Sequence, residues 1–140
     1  MPTIIGLAVD TLTARGVAHH VRGDEIRVPP RDEGGFEVRL QIRGERSFLV
    51  QCEGWHHHFD RAEDAYDCFE YVLSDSARLK VVYRANRPEL WQVEKREFGM
   101  WVPGHPVMRR SWAFWKLRRV EYRQNRVFTQ PDPPTQPDQT

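Results

Sequence analysis

The segment Cys52-Glu53-Gly54-Trp55-His56-His57-His58-Phe59-Asp60 gathers three of the six histidines, one of the two cysteines and one of the five tryptophans into nine residues. Imidazole and thiolate are ligands that zinc prefers. A thiol beside a histidine that is oriented by a carboxylate is the arrangement of nucleophilic catalysis. Spacing limits both readings. Neighbouring side chains on an extended strand point to opposite faces, so His56 and His58 share one face and His57 takes the other. No Cys-x-x-Cys pair and no His-Glu-x-x-His helix accompanies them, and neither a metal nor a cofactor is expected. For catalysis, Cys52 or Cys68 would supply the thiol, His58 the base and Asp60 its orienting acid. Cys52 falls on the apolar side of a strand with Phe48 and Val50, and Cys68 beside the apolar stripe of a helix. Burial there raises a thiol's pKa and leaves it inert. The expectation is a binding site without catalytic residues, in which Trp55, His56 and His58 line a shallow surface and Asp60 caps the following helix.

A second chemistry is carried by the C-terminal third. Arg109, Arg110, Lys116, Arg118, Arg119, Arg123 and Arg126 are interleaved with Trp112, Phe114, Trp115 and Tyr122. Arginines can hold carboxylates or phosphates in bidentate fashion, and aromatic rings supply anchoring area or stack on unpaired bases. The reading motifs of common nucleic-acid modules are absent from the sequence. Trp112, Trp115, Arg118, Arg119 and Arg123 are therefore expected to form a contact surface for another protein, acidic at the contact, with nucleic acid as the alternative.

Composition narrows the classes. The net charge is +1 over 140 residues, which implies neither a nucleic-acid coat nor an acidic substrate. The balance hides two blocks: Glu45 to Asp75 holds eight acidic residues against two basic ones, and Arg78 to Arg126 holds thirteen basic residues against four acidic ones. No apolar run approaches the ~20 residues that cross a bilayer, so no membrane association is expected. Two cysteines without a signal-peptide plan read as reduced thiols in a cytoplasmic protein.

These residues need elements to position them. Ile4, Leu7, Ala8 and Leu12 predict a helix over Ile4–Ala14, stopped at Gly16. Short strands follow over Val17–Arg22 and Glu25–Val28, around a turn at Gly23-Asp24. Phe36–Arg43 alternates strictly, and Phe48, Val50 and Cys52 continue its inner face on the return strand. Asp60 with Glu63 matches a capping box, opening an acidic amphipathic helix with the stripe Ala62, Ala65, Tyr66, Phe69, Val72 and Leu73. Leu79–Arg84 and Leu90–Lys95 form a hairpin about Ala85-Asn86-Arg87-Pro88. Gly99–Pro106 reads as a loop, Arg109–Arg126 as a helix or a helix followed by a short strand, and residues 129–140 as a disordered proline-rich tail. The expected fold is one α+β domain over residues 1–128: a mainly antiparallel sheet with an N-terminal helix, a central acidic helix and a C-terminal basic aromatic helical segment. Phe36, Val38, Leu40, Ile42, Phe48, Val50, Phe69 and Val81 should share its core.

Gly54-Trp55-His56 with Phe59, Leu73-Ser74-Asp75, Arg78-Leu79-Lys80-Val81, and Phe114-Trp115 with Tyr122 and Gln124-Asn125 together resemble a group of small bacterial proteins of unassigned function. The resemblance runs from Gly54 to Asn125 and implies a bacterial origin, but no activity. The element order is also similar to small α+β bacterial adaptors, including secretion-chaperone-type folds, a likeness of fold alone. The expected function is a non-catalytic, adaptor-like module that binds another macromolecule. Its rivals are a nucleic-acid binder and a metal- or cysteine-dependent enzyme centred on Cys52–Asp60.

Overall fold

The computed structural model describes residues 3–108 and 118–127. Helix α1 spans Ile4–Ala14; the Thr3 hydroxyl caps it by accepting from the Gly6 N–H at 3.1 Å, and Ile5, Ala8 and Leu12 are its buried stripe. Five strands follow as an antiparallel meander: β1 (His20–Arg22), β2 (Glu25–Val28), β3 (Val38–Gly44), β4 (Ser47–Cys52) and β5 (Trp55–Phe59). The strict alternation of β3 sets the register, with Leu40 opposite Ile26 on one side and Val50 on the other. A slip of one residue would turn arginines into the core. Helix α2 (Ala62–Val72) packs on β3, β4 and β5, and α1 packs on β2, β3 and α2.

A second antiparallel sheet has the order β8-β7-β6-β9, built from β6 (Ala77–Arg84), β7 (Arg87–Glu97), β8 (Met100–Met108) and β9 (Arg118–Arg123). The β6–β7 turn is Ala85-Asn86, both with positive φ (54° and 64°), which matches the twist of a two-residue hairpin. Leu79, Val81 and Val93 from this sheet join the core that contains Phe36, Val38, Leu40, Phe48, Val50 and Phe69, with Ile42 packed against it. One core therefore serves both sheets.

Two expectations are corrected, at Gly99–Pro106 and at Asp60. Gly99–Pro106 is not a loop: after a turn at Phe98-Gly99, both at positive φ, the chain forms β8. Pro103 and Pro106 are tolerated because β8 is an edge strand of its sheet. Over Arg118–Arg123 the chain forms strand β9, paired in register with β6, which fits the second of the two readings of Arg109–Arg126, a helix followed by a short strand. Residues 109–117, where that helix is expected, lie outside the described residues, as does the expected tail from 129. Asp60 does not cap α2. Strand β5 runs through Phe59, so the extended backbone continues to Arg61, which occupies the cap position without a side-chain cap bond. Glu63 instead lies 3.4 Å from Arg61.

The end of the described chain is clasped to the first sheet. Asn125 is fully buried; its Nδ2 donates to the Pro29 and Phe36 carbonyls, and its Oδ1 accepts from the Arg31 N–H. Gln124 N–H donates to the Gly34 carbonyl, and Val127 N–H to that of Leu73.

Candidate functional site

The histidine cluster is itself a strand, and its flanking apolar residues decide which face turns inward. Trp55 and Phe59 are apolar, so period two carries His57 inward between them. Trp55 is buried, His57 and Phe59 are half-buried, and His56 and His58 are exposed on the other face. The alternation expected for the three histidines holds, but the face shared with Trp55 belongs to His57 rather than to His56 and His58. Asp60 is exposed.

The partner of His57 comes from the other sheet. His57 Nδ1 and His105 Nε2 are 3.3 Å apart, with ring centroids at 4.7 Å. The Trp55 indole N–H donates to the His105 carbonyl at 3.2 Å, pinning β8 to β5. Phe59 also lies against the His57 ring, centroids 4.6 Å apart. Burial lowers the pKa of His57, and the neighbouring His105, His58 and His56 lower it further. His57 is therefore neutral at neutral pH, and its contact with His105 is a hydrogen bond between ring nitrogens whose direction follows the tautomer.

The same corner locks the two sheets together. Glu53, at positive φ, and Gly54 make the β4–β5 turn. Gly54 sits directly on the Trp91 indole, where an added Cβ would lie 2.2 Å from the ring. The Glu53 carboxylate accepts two bonds from Arg123 Nη1, at 2.8 and 2.6 Å. Arg123 also donates to Glu121 at 3.0 Å and to the Tyr83 hydroxyl.

Both thiols are poor nucleophiles. Cys52 is fully buried on β4, and burial pushes its pKa well above the usual thiol range. Burial likewise pushes Cys68 up to about 12. A thiol held protonated at neutral pH supplies almost no thiolate. Among the described residues, no group of three histidine, cysteine or acidic side chains is placed to hold a metal ion.

The basic aromatic segment is divided by its strand. Alternation along β9 sends Arg119 and Arg123 to one face and Arg118 to the other with Val120 and Tyr122. Arg123 is committed to Glu53. Arg119 lies over the Tyr83 ring at 4.4 Å and 3.3 Å from Glu121, and Arg118 is exposed. Trp112 and Trp115 lie outside the described residues. The structure thus keeps Trp55 at the cleft, turns His56 and His58 away from it, and separates the three arginines between two faces.

Sequence reasoning missed His57, His105 and Asn125. The first was recoverable, because apolar Trp55 and Phe59 name the inner face. His105 stood in a stretch whose glycine and prolines masked a strand. Comparison with known proteins gives no match: no family model fits the chain, and no curated protein or solved structure matches it. That outcome is consistent with the resemblance from Gly54 to Asn125 to proteins of unassigned function.

Proposed function

We propose that the chain is a non-catalytic, adaptor-like binding protein whose main partner is another protein. The observation that carries this reading is where apolar surface is left in water. Eight large hydrophobic residues are exposed among those described, and six of them stand on the second sheet: Phe98, Met100, Val102, Met108, Val120 and Tyr122. Phe98, at the tip of the β7–β8 hairpin, is fully exposed, and Met100 and Met108 are each 70% exposed. The six fall in two groups at opposite edges of the sheet, Phe98, Met100, Val102 and Met108 on and beside β8 and Val120 with Tyr122 on β9. Exposed apolar surface of the first kind, at a hairpin tip, marks an interaction site, and aromatic residues, methionine and arginine are the types enriched in interfaces. Arg118, exposed on the same face of β9 as Val120 and Tyr122, adds positive charge there, which favours a partner that is acidic at the contact. The protonated state of Cys52 and Cys68 supports a role without nucleophilic catalysis, and a cytoplasmic setting suits their free thiols.

The test is capture of the partner from the native host by the wild type, by Phe98→Ser/Met100→Ser and by Arg118→Gln. The apolar pair should abolish capture, and the arginine variant should slow association and reduce its salt dependence. Undiminished capture by both variants would place the interface elsewhere. Arg123 is left intact because its loss would break the Glu53 bridge.

Single-stranded nucleic acid is the second reading. The Arg78 guanidinium lies between two rings, 4.4 Å from Trp101 and 3.9 Å from Tyr122, and Lys80 stands cross-strand from Tyr122. Basic and aromatic groups on one face suit phosphate contact and base stacking. Arg78 is also bonded to Glu94 at 2.6 Å, which compensates its charge and sets the protein reading first. A salt titration against single-stranded oligonucleotides separates the two, since phosphate binding falls log-linearly with salt.

A further inference from the structure

A cleft of about 690 Å³ opens between β5, α2 and the β7–β8 hairpin, within the ~300–1,000 Å³ typical of small-molecule sites. Trp55, His57 and Phe59 line it from the first sheet, Tyr71 and Val72 from α2, and His105 from the second sheet. Its construction is specific. Strand β8 is irregular here: Gln92 opposes Pro106 and Glu94 opposes Pro103, so Gly104 and His105 together face Val93. Bulges of this kind re-aim a side chain and recur beside functional sites. Position 104 admits only glycine without a shift, because a Cβ there would lie 2.8 Å from the Val93 carbonyl oxygen. The bulge delivers His105 to His57, and the Trp55 N–H fixes the His105 backbone.

The chemistry offered by the pair follows from counting its nitrogens. Each neutral imidazole has one N–H and one bare nitrogen. The His57–His105 bond uses one of each, so the pair keeps one donor and one acceptor, at His57 Nε2 and His105 Nδ1, and a tautomer shift exchanges them. Neither nitrogen has another hydrogen bond among the described residues. The charges around the cleft are Lys95 and Arg96 on β7 against Glu97 on the same strand and Asp67 on α2. They cancel, so no net field recruits an ion. His56 and His58 point from the opposite face of β5, the Tyr71 hydroxyl donates to the Ser76 carbonyl, and Cys68 stays protonated.

We infer that this cleft binds a small planar heteroaromatic ring with an adjacent hydrogen-bond donor and acceptor, of the nucleobase type. The ring lies against the aromatic walls, and its edge pairs with the His57–His105 dyad. The inference stands apart from the protein contact proposed above, which uses the exposed outer elements of the second sheet. A dyad that takes up a proton becomes a double donor with no acceptor. Complementarity to such a ring is then lost, so affinity falls as the pH drops through the His57 transition.

The test is a titration of wild-type protein with adenosine, guanosine, cytidine and uridine, followed by the NMR signals of the histidine C2 protons and the Trp55 indole. Benzoate serves as an aromatic anion without a donor, and a single-stranded oligonucleotide serves as a strand-borne source of the same rings. The expected result at neutral pH is saturable shifts at His57, His105 and Trp55 with at least one nucleoside or with the strand, and none with benzoate. His105→Phe keeps an aromatic wall without its nitrogens and should weaken binding about tenfold, the scale of one lost hydrogen bond; acidification should weaken it too. Response to nucleosides identifies a free ligand, and response to the strand alone identifies a base presented on nucleic acid. Absence of shifts with all of them at millimolar concentration overturns the inference. So does benzoate binding that tightens in acid, which would mark an anion site, and so does unchanged affinity in folded His105→Phe.

Discussion

Replacing Asn125 measures what holds the C-terminal strand to the first sheet. The side chain is 0% exposed and makes three hydrogen bonds: to the Pro29 carbonyl at 3.1 Å, to the Phe36 carbonyl at 2.9 Å and from the Arg31 N–H at 3.0 Å. Two carbonyls require the amide nitrogen and one N–H requires the oxygen, so the amide has only one satisfied orientation. Each such bond contributes about 1 kcal/mol net, and a buried backbone group left without a partner costs about 1–3 kcal/mol. Asn125→Ala orphans three backbone groups, and water entering the vacated space restores part of the loss; the expected destabilisation is roughly 3 kcal/mol. Asn125→Asp is the sharper probe. It keeps the shape and the Arg31 bond but sets an oxygen against two carbonyl oxygens, so at pH 7 it should cost at least as much as alanine. Burial and those carbonyls raise the introduced carboxyl's folded pKa above its ordinary value of ~3.9. A raised folded pKa means that protonation favours the folded state, so this variant should regain stability as pH falls from 7 toward that value. Urea unfolding of both variants and the wild type at neutral and mildly acidic pH, with m-values compared, is the assay. A loss under about 1 kcal/mol for alanine, far below the scale of three lost bonds, would refute the clasp. An aspartate variant no worse than alanine and without excess pH dependence would refute the assigned amide orientation.

The remaining expectations follow from single contacts. Gly54→Ala places a Cβ inside the Trp91 ring and should cost about 1–3 kcal/mol by overpacking; Trp91→Leu in the same chain should recover part of it, and additive effects in the double-mutant cycle would deny the contact. His57 has a lowered folded pKa, so its contribution is present above its unfolded value of ~6.5 and is lost as pH falls through the folded one. Wild type should therefore lose stability between pH 7.5 and 5 more steeply than His57→Gln, and parallel pH profiles by thermal melting would contradict this. Cys52 and Cys68 should resist iodoacetamide at neutral pH in the folded protein and react on unfolding, because burial suppresses both thiolates; rapid native labelling would show that one of them is accessible.

What could be read from the sequence is what a short window determines. The alternation of Phe36–Arg43 and the apolar stripe of α2 stand alone as local patterns, and both elements form with the expected faces. Strand β8 was illegible because glycine and proline are ordinarily loop punctuation, and only its place at a sheet edge makes them tolerable. Strand β9 shows just Val120 and Tyr122 as a period-two trace; its extended state comes from pairing with β6, some forty residues earlier in the chain, where tertiary pairing outweighs local preference. At Asp60 a four-residue capping pattern was outweighed by β5, whose extended backbone carries the helix start past it. The corner chemistry is less local still. His57 meets His105 across 48 residues, Glu53 meets Arg123 across 70, and Asn125 reaches Phe36 across 89. Each of these long links joins the meander to the second sheet or to the segment that leaves it, and each uses polar side chains that no apolar periodicity marks. The hydrophobic pattern specifies the two helices and most strands, whereas these polar ties specify how the second sheet seats on the first and hence whether His105 reaches the cleft. Disturbing a tie should therefore loosen the cleft before it unfolds the core, and the His57–His105 signals should respond to Glu53→Gln even though neither histidine touches that carboxylate.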